Sequence, residues 1–479
     1  MSDMRAAAAK GTAWMFGARQ AIRLLGLVST LVMARLLMPE DFGLIAQSMM
    51  AVGLIEALSA FGFELALIQN HEARRSHYDT VWTLNIIKAA VVALLLAGGA
   101  APIARFFEEP RLEAIIYVLA GSFFAGSFSN VGVIDLRKHL RFRADFMYLV
   151  VPKIASISAN IAFAFYFLNY WALVAGMLTG SAATFTMSYV MSPYRPRFSL
   201  AEWRDVFGFS KWVLVSQYLA FLSREAPIFI IGKLVASHQV GLYRMATELS
   251  NFLSTEIYIP ALRALYPAYA KNKEGAAGLY LDAVGIVILL IGPACMGMVL
   301  VAEPMVALLL GEKWMEIVPL VQILTIGALL RAVWLSPGAV AMARGRPRDS
   351  AYLAVPPIVV LVPALIWFTL DYGLMGAAWA KMLAAVVQFV MSLVYVYWGL
   401  KTTVREIIRP LWRPTMAVII MVIVTSFVPV SLWRIPVGVV SYVSALLGLW
   451  HLSGRPLGPE AVVLRKLGLY KGPAQAPAD

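Results

Sequence analysis

The sequence predicts an all-α membrane protein of about fourteen transmembrane helices, and three observations carry that prediction. Of 479 residues, 61% are hydrophobic and 14% charged, whereas a soluble domain carries roughly 25% charged residues. The apolar residues gather into runs of about 20, the length a helix needs to cross a hydrocarbon core of about 30 Å. Lysine and arginine concentrate in every second connection between those runs, as in a chain threaded back and forth through a bilayer.

In chain order the runs fall at about 14–37, 42–67, 81–102, 114–135, 147–167, 170–191, 208–232, 240–265, 279–301, 316–341, 351–369, 373–399, 411–430 and 435–452. Membrane strands are excluded, because they take about 9–11 residues and alternate in polarity. The longest connection is about 15 residues, too short for a folded extramembrane domain. The first run is long, carries Arg19 and Arg23 and leads into further runs, so it reads as a span rather than a cleaved signal peptide. The single cysteine, Cys295, sits inside the apolar run Val287–Val301, and no disulfide or cysteine–metal framework follows from it. The tail after Gly454 is rich in Pro, Gly and Ala and reads as mobile at its end.

Orientation follows from the basic residues. The N-terminus, the even-numbered connections and the C-terminal tail carry about 25 of them, including Arg137, Lys138, Arg141 and Arg143 after span four; the odd-numbered connections carry about five. This bias places both termini in the cytoplasm. It also accounts for most of the net charge of +13, which therefore reads as topology and not as nucleic-acid binding.

A smaller group of basic residues lies within the runs, where a cation at the bilayer centre costs at least about 2.5–3.5 kcal/mol and normally faces a wet cavity or a partner. Arg35, Lys233 and Arg263 sit near span ends, where snorkelling explains them. Arg19, Arg23, Lys88, Lys153, Arg224, Arg244, Arg331 and Lys381 lie deeper. Arg19 and Arg23 are four apart on one helical face, with Gln20 beside them. Arg244 and Glu248 share the same spacing and read equally well as an internal pair. Arg224 and Glu225 are adjacent and point in different directions, while Glu56, Glu64 and Glu256 supply acidic partners that the cations outnumber. That excess suits an anionic substrate, phosphate or diphosphate above all, given the affinity of arginine for phosphate oxygens. With five histidines and no cluster of metal-type ligands, no catalytic constellation is evident.

An internal repeat is also visible. Arg35-Leu-Leu-Met-Pro-Glu-Asp-Phe-Gly-Leu44 and Lys233-Leu-Val-Ala-Ser-His-Gln-Val-Gly-Leu242 share one layout 198 residues apart, with Gly43 and Gly241 each opening the next helix. Six runs fill the interval, and an even number preserves orientation, so the repeat is parallel about an axis along the membrane normal.

Several segments together carry a family resemblance: Gly11-Thr-Ala-Trp14, Ala34 to Leu44, Gly62-Phe63 with Ala66-Leu-Ile-Gln69, Trp82 and Asn85, Glu109-Pro110, Leu136 to Phe142, Tyr170 to Gly176, Leu222-Ser-Arg224 with Ile231-Gly232, and Leu310 to Trp314. Over about residues 11–400 the chain resembles the polysaccharide transporter family. These are Wzx-type oligosaccharide-lipid flippases of the MOP superfamily, which also holds MATE exporters and MurJ-like flippases. The likeness is nearest to relatives described as colanic acid or lipopolysaccharide exporters.

The resemblance implies an N-terminal lobe at 1–198, a C-terminal lobe at 199–402, each of about six spans, and two extra spans with a cytoplasmic tail at 403–479. It implies a transporter and not an enzyme, in the bacterial cytoplasmic membrane. The substrate would be an undecaprenyl-diphosphate-linked oligosaccharide, moved by alternating access for exopolysaccharide, capsule or O-antigen synthesis. Candidate substrate-binding residues are then Arg19, Arg23, Arg224, Arg244, Lys88, Arg331 and Lys381, with Gln20, Glu64, Glu225 and Glu248 as coupling or gating candidates. Relatives often carry an aspartate where this chain has Pro227, which puts that residue's coupling role in doubt here. No cofactor or metal is expected, and a proton or sodium gradient would drive turnover. Expected partners are the lipid-linked substrate, membrane lipid, a polysaccharide polymerase and a chain-length regulator, around a monomer. Pro152, Pro227, Pro260 and Pro293 offer bends or ordinary kinks, and Trp14, Trp212 and Tyr218 offer sugar stacking or interfacial anchoring. A MATE-like multidrug or cation antiporter shares the architecture, but it calls for an acidic cavity where this sequence reads basic. A glycan polymerase or ligase calls for a long extracytoplasmic loop that the sequence lacks.

Overall fold

The computed structural model describes residues 2–57, 63–69, 73–139, 141–204, 221, 225–252, 269, 275–333, 337–344, 346–456, 458–466 and 470. All regular structure among them is helical, with no strand. By length and apolar character eight described helices qualify as membrane crossings, and nine if a pair bent by 68° counts as one span. The fold is therefore an all-helical, multi-span membrane protein. Arg224, Trp212, Tyr218, Pro260, Glu256 and Arg263 lie outside the described residues, as do the side chains of Trp14 and Arg19.

The chain divides into two compact units, Met1–Leu242 and Tyr243–Asp479. The first holds α1 (Ser2–Leu36), α2 (Pro39–Ala57), α3 (Phe63–Gln69), α4 (Arg75–Phe106), α5 (Arg111–Gly126), α6 (Ile134–Lys138), α7 (Phe142–Phe167) and α8 (Trp171–Met191). Helix α9 (225–234) and the first turns of α10 (237–252) complete it. Helices α4 and α7 outlast their predicted apolar runs, whereas α5 stops at Gly126 and the chain bends by 68° into the rest of the run predicted at 114–135.

Neighbouring helices pair as hairpins. Helices α4 and α5 reverse through Phe107–Pro110, where Glu108 takes a left-handed φ of 57°; α7 and α8 reverse through Leu168, with a φ of 51°. Lipid tails give no hydrophobic drive between membrane helices, so small residues that let backbones approach do the packing. Gly176 and Gly180 on α8 serve that purpose. A Cβ on Gly176 would lie 1.7 Å from Asn160 Oδ1, and one on Gly180 would lie 3.0 Å from Ser156 Cβ, both on α7. Pro152 lies inside the continuous helix α7, as Pro293 lies inside α11 (Ala276–Leu300).

The second unit continues with α11, α12 (Ala302–Leu309), α13 (Val318–Val333), α14 (Pro337–Ala343) and α15 (Pro347–Val394). Gly373 interrupts α15 with a φ of 59°, and a Cβ on Gly376 would lie 1.8 Å from the Phe368 carbonyl oxygen. Residues eight apart cannot meet this way along one straight helix, where they stand about 12 Å apart. The chain therefore turns sharply there, and α15 is two helices, as the separate runs at 351–369 and 373–399 predict. Helices α16 (Val404–Ser426) and α17 (Arg434–Leu452) form a further hairpin against α11. The tail turns back as α18 (Pro459–Lys466). Arg413 on α16 holds Glu460 on α18 through two hydrogen bonds of 2.9 and 3.0 Å, both side chains being buried. The segment just after Gly454 is thus docked, and the end of the tail, where the sequence predicts mobility, lies outside the described residues.

Candidate functional site

The repeated motif makes a contact with itself. Gly43 and Gly241 lie in the first turns of α2 and α10, and neither has room for a side chain. A Cβ on Gly43 would sit 1.7 Å from the Ser237 carbonyl oxygen and 3.0 Å from Gly241 N; one on Gly241 would sit 1.8 Å from the Pro39 carbonyl oxygen and 2.9 Å from Gly43 N. Pro39 and Ser237 occupy equivalent places in the repeat, 198 residues apart, as do the two glycines. The contact is therefore reciprocal, the geometry of a local two-fold axis between the two turns.

Polar side chains tie this crossing to the α4–α5 turn. The Ser237 hydroxyl lies 2.9 Å from Gln47 Oε1 and 3.1 Å from Glu109 Oε2, and Gln47 Nε2 donates to the Gly232 carbonyl at 3.1 Å. Arg111 donates twice to Glu109, at 2.8 Å each, and also to Glu40 beside the first turn of α2. Lys233 pairs with Glu108 at 2.8 Å. Asp41 accepts from Met38 N at 2.9 Å and from Tyr170 N at 2.8 Å, bringing in the α7–α8 turn. The connections numbered one, three, five and seven thus meet at one end of the unit. Arg111 holds the Glu109 carboxyl below the usual carboxylate range, and Lys233 does the same for Glu108. Burial pushes the Asp41 carboxyl up, overcoming the two backbone donors.

The even-numbered connections meet likewise. Tyr78 donates to Asp135 at 2.5 Å, Tyr194 donates to Asp79, Arg137 pairs with Asp145 at 3.1 Å, and Ser76 donates to Glu202 at 3.0 Å. The alternation of connections that the sequence predicts is therefore present within this unit, with the arginine-rich ends together.

Between these ends, the first unit holds an open cavity of about 420 Å³ lined by α2, α3, α4, α5, α7 and α8. It faces two carboxylates, Glu56 and Glu64, towards one ammonium, Lys88, with Asn85 and Tyr148 as neutral polar groups. Polar groups at this depth in a membrane helix bundle are costly unless paired or wet, so the cavity is a candidate site for a small ion or a proton.

The second unit carries its own polar cluster. Tyr243, Thr247 and Asn251 form one stripe of α10 at a spacing of four. Arg331 on α13 donates to Asn251 Oδ1 at 3.2 Å, and Lys381 on α15 donates to Thr247 Oγ1 at 3.4 Å while standing 5.5 Å over the Tyr243 ring.

The candidates from the sequence therefore fall into sets. Lys88 and Glu64 share the cavity of the first unit, whereas Arg331 and Lys381 share the α10 stripe of the second. Gln20 and Arg23 are partly exposed on α1, and Glu225 is partly exposed at the start of α9. Arg244 and Glu248 are exposed on α10. Sequence reasoning missed Glu40, Gln47, Glu109, Arg111 and Ser237. A signal for one of them existed, since Arg111 is among the few cations of the odd-numbered connections and has acidic neighbours in sequence.

Comparison with known proteins places this arrangement. WzxC of Escherichia coli (strain K12), a lipopolysaccharide biosynthesis protein, is 26% identical over 423 residues, 86% of this chain and 85% of the relative. TuaB of Bacillus subtilis (strain 168), a teichuronic acid biosynthesis protein, is 24% identical, over 77% of this chain and 78% of the relative. Among solved structures, the lipid II flippase MurJ in an inward closed conformation aligns with a TM-score of 0.74 at 12% identity, covering 96% of this chain and 99% of that one. An inward-facing MATE family transporter of the MOP superfamily aligns with a TM-score of 0.60 at 17% identity, covering 80% and 96%. At such identities these two establish a shared fold. A family model described as polysaccharide biosynthesis protein matches residues 32–319, more than half of the sequence, and the chain belongs to that family.

Proposed function

We propose that this protein is a flippase that moves undecaprenyl-diphosphate-linked oligosaccharide across the bacterial cytoplasmic membrane for surface polysaccharide synthesis, by alternating access and without covalent chemistry. Family membership across residues 32–319 is the observation that carries this reading. The fold shared with a lipid II flippase supports it, as does the excess of arginine and lysine over carboxylates within the spans. The repeats at 1–198 and 199–402 are the moving lobes, residues 403–479 add two spans and the tail, and both termini lie in the cytoplasm. The crossing of Gly43 and Gly241, locked by Arg111, Glu109 and Ser237, is the closed extracytoplasmic gate. Arg19, Arg23 and Arg224 hold the diphosphate, exchanging its lost hydration for charge-assisted hydrogen bonds. Glu56 and Glu64 beside Lys88 take the coupling proton or cation. A polymerase and a chain-length regulator receive the product.

The test is reconstitution. Purified protein in liposomes, given a fluorescent undecaprenyl-diphosphate oligosaccharide and an imposed proton or sodium gradient, should make the label accessible to a membrane-impermeant quencher. Arg19→Ala and Arg23→Ala should each slow this at unchanged protein level. Normal translocation in both variants would remove the diphosphate role. Transport of organic cations instead of the lipid would replace the proposal with an antiporter.

A further inference from the structure

The segment after α8 is neither a helix nor a free linker. From Ser192 to Glu202 it runs against α4 as a strap, held by α4 side chains. Asp79 accepts from Tyr194 Oη and from Arg197 N, the latter at 2.8 Å. Thr83 Oγ1 accepts from Ser199 N at 3.0 Å, Thr80 Oγ1 accepts from Glu202 N at 3.3 Å, and Ser76 closes the strap at Glu202. Helix α4 starts at Arg75, so Asp79 lies about 6 Å and Thr83 about 12 Å along its axis. The strap therefore dips beside the helix as far as Ser199 and climbs out again at Glu202.

Its side chains are graded to match. At the deepest point Phe198 and Leu200 are 71% and 46% exposed, and the Phe198 ring stands 4.9 Å from that of Trp82. Trp82 and Thr83 begin the apolar part of α4, the depth at which aromatic rings collect in membrane proteins. One step shallower come Arg195 and Arg197, both exposed. Beside them Tyr78 links the strap to the α6–α7 elbow, bonding Asp135 and lying 5.7 Å from the Tyr194 ring. The elbow adds exposed Arg141 and Arg143. Arg141, Arg143 and Arg197 make no ion pair among the described residues. Among the described residues of the strap, the elbow and the start of α4 the cations are arginines apart from Lys138. A charge rule for topology accepts lysine equally. Arginine adds a planar fork that binds phosphate oxygens through paired hydrogen bonds.

We propose that the strap and the elbow form a seat for the phosphodiester headgroups of anionic glycerophospholipids, with Phe198 and Leu200 set among the upper acyl carbons. Charge complementarity names the occupant, since zwitterionic headgroups offer no net negative charge to exposed guanidiniums. The seat depends on the membrane reading of the fold and is independent of what the protein transports.

Native mass spectrometry of the delipidated full-length protein tests it, titrating phosphatidylglycerol, phosphatidylcholine and undecaprenyl diphosphate separately. Wild type should retain phosphatidylglycerol over phosphatidylcholine and release it as ionic strength rises. Arg141→Gln, Arg143→Gln and Arg197→Gln combined should weaken phosphatidylglycerol binding by about fivefold per arginine, on the order of a hundredfold together. Lys401→Gln, Arg405→Gln and Arg409→Gln, an equal charge change at exposed sites of the second unit, should leave most of it. Equal losses in the two triple variants would overturn the seat, as would a wild type that holds both phospholipids alike. Retention of undecaprenyl diphosphate without phosphatidylglycerol would overturn it too. The salt titration needs no substitution, so misfolding of a variant cannot shelter the proposal.

Discussion

Adding one methyl group at Gly43 should open the crossing of α2 and α10. The Cβ of Gly43→Ala would lie 1.7 Å from the Ser237 carbonyl oxygen, about half the 3.3–3.6 Å that carbon and oxygen keep in close contacts. The obstacle is backbone, so no rotamer change relieves it and the two turns must part by about 1.5 Å. That movement breaks the bond donated by Ser237 and the Gln47–Gly232 bond, which have little slack at 2.9 and 3.1 Å. Each is worth about 1 kcal/mol net, so the closed arrangement loses about 2 kcal/mol, or about thirtyfold in its ratio to the open one. Hydrogen exchange read by mass spectrometry should show peptides covering residues 37–47 and 232–241 exchanging faster by that order, while the α7–α8 hairpin keeps its protection. Gly241→Ala should do the same, because its Cβ would meet the Pro39 carbonyl at 1.8 Å. Gly98→Ala on α4 is the control, since nothing lies within 4 Å of its added Cβ. Unchanged exchange in both crossing variants would refute the reasoning, and so would equal acceleration throughout the first unit.

Other outcomes follow from the same geometry. Arg413→Ala should lower the thermal stability of the detergent-purified protein by about 3–5 kcal/mol, because Glu460 would be left as a buried, unpaired carboxylate; Arg413→Met with Glu460→Leu should recover most of it, and a single variant without effect would show the pair to be idle. Gly176→Ala should cost about 1–3 kcal/mol by overpacking α8 against Asn160. Asn160→Ala should rescue it, since Asn160 Oδ1 has no hydrogen-bond partner to lose among the described residues. Acid should loosen the crossing late: the Glu108 and Glu109 carboxyls are held below their ordinary value, so what they contribute is complete above that value and vanishes only as pH falls through the lowered one. Protection at residues 107–111, taken relative to the intrinsic exchange rate, should therefore hold across neutral and mildly acidic pH and fall only below the ordinary glutamate range. Asp41, raised by burial, acts in the opposite sense: its charged form weakens the closed arrangement as pH climbs through the raised value, and Asp41→Asn should remove that dependence.

The helices were legible because each obeys a local rule. A run such as 147–167 announces itself by length and apolar content, and α7 occupies it. The reciprocal crossing was partly legible, because its two halves repeat in sequence around Gly43 and Gly241. What the repeat does not record is that the halves touch. The partners that lock the crossing were not legible, since Glu109 and Ser237 are 128 residues apart and share no periodicity. The same holds for the cavity, where Lys88 meets carboxylates from two other helices. The strap escaped notice for a different reason: three of its bonds run from its backbone amides to α4 side chains, and a backbone donor leaves no mark in its own sequence. The α15 turn was legible as two runs, and Gly373 supplies the conformation that separates them.

The self-contact of the repeat has a consequence for how such a chain can change. A residue beside a two-fold axis in a symmetric dimer meets its own copy, so one substitution there alters the interface twice. Here the two copies are joined in one chain, and the symmetry is held by two codons rather than one. Glu40 and His238, or Asp41 and Gln239, already differ between the copies, because each faces its own surroundings. At the axis that freedom disappears, since each glycine fills the space its counterpart leaves. The two copies of the motif differ at Glu40 and His238 and agree at the two glycines that meet.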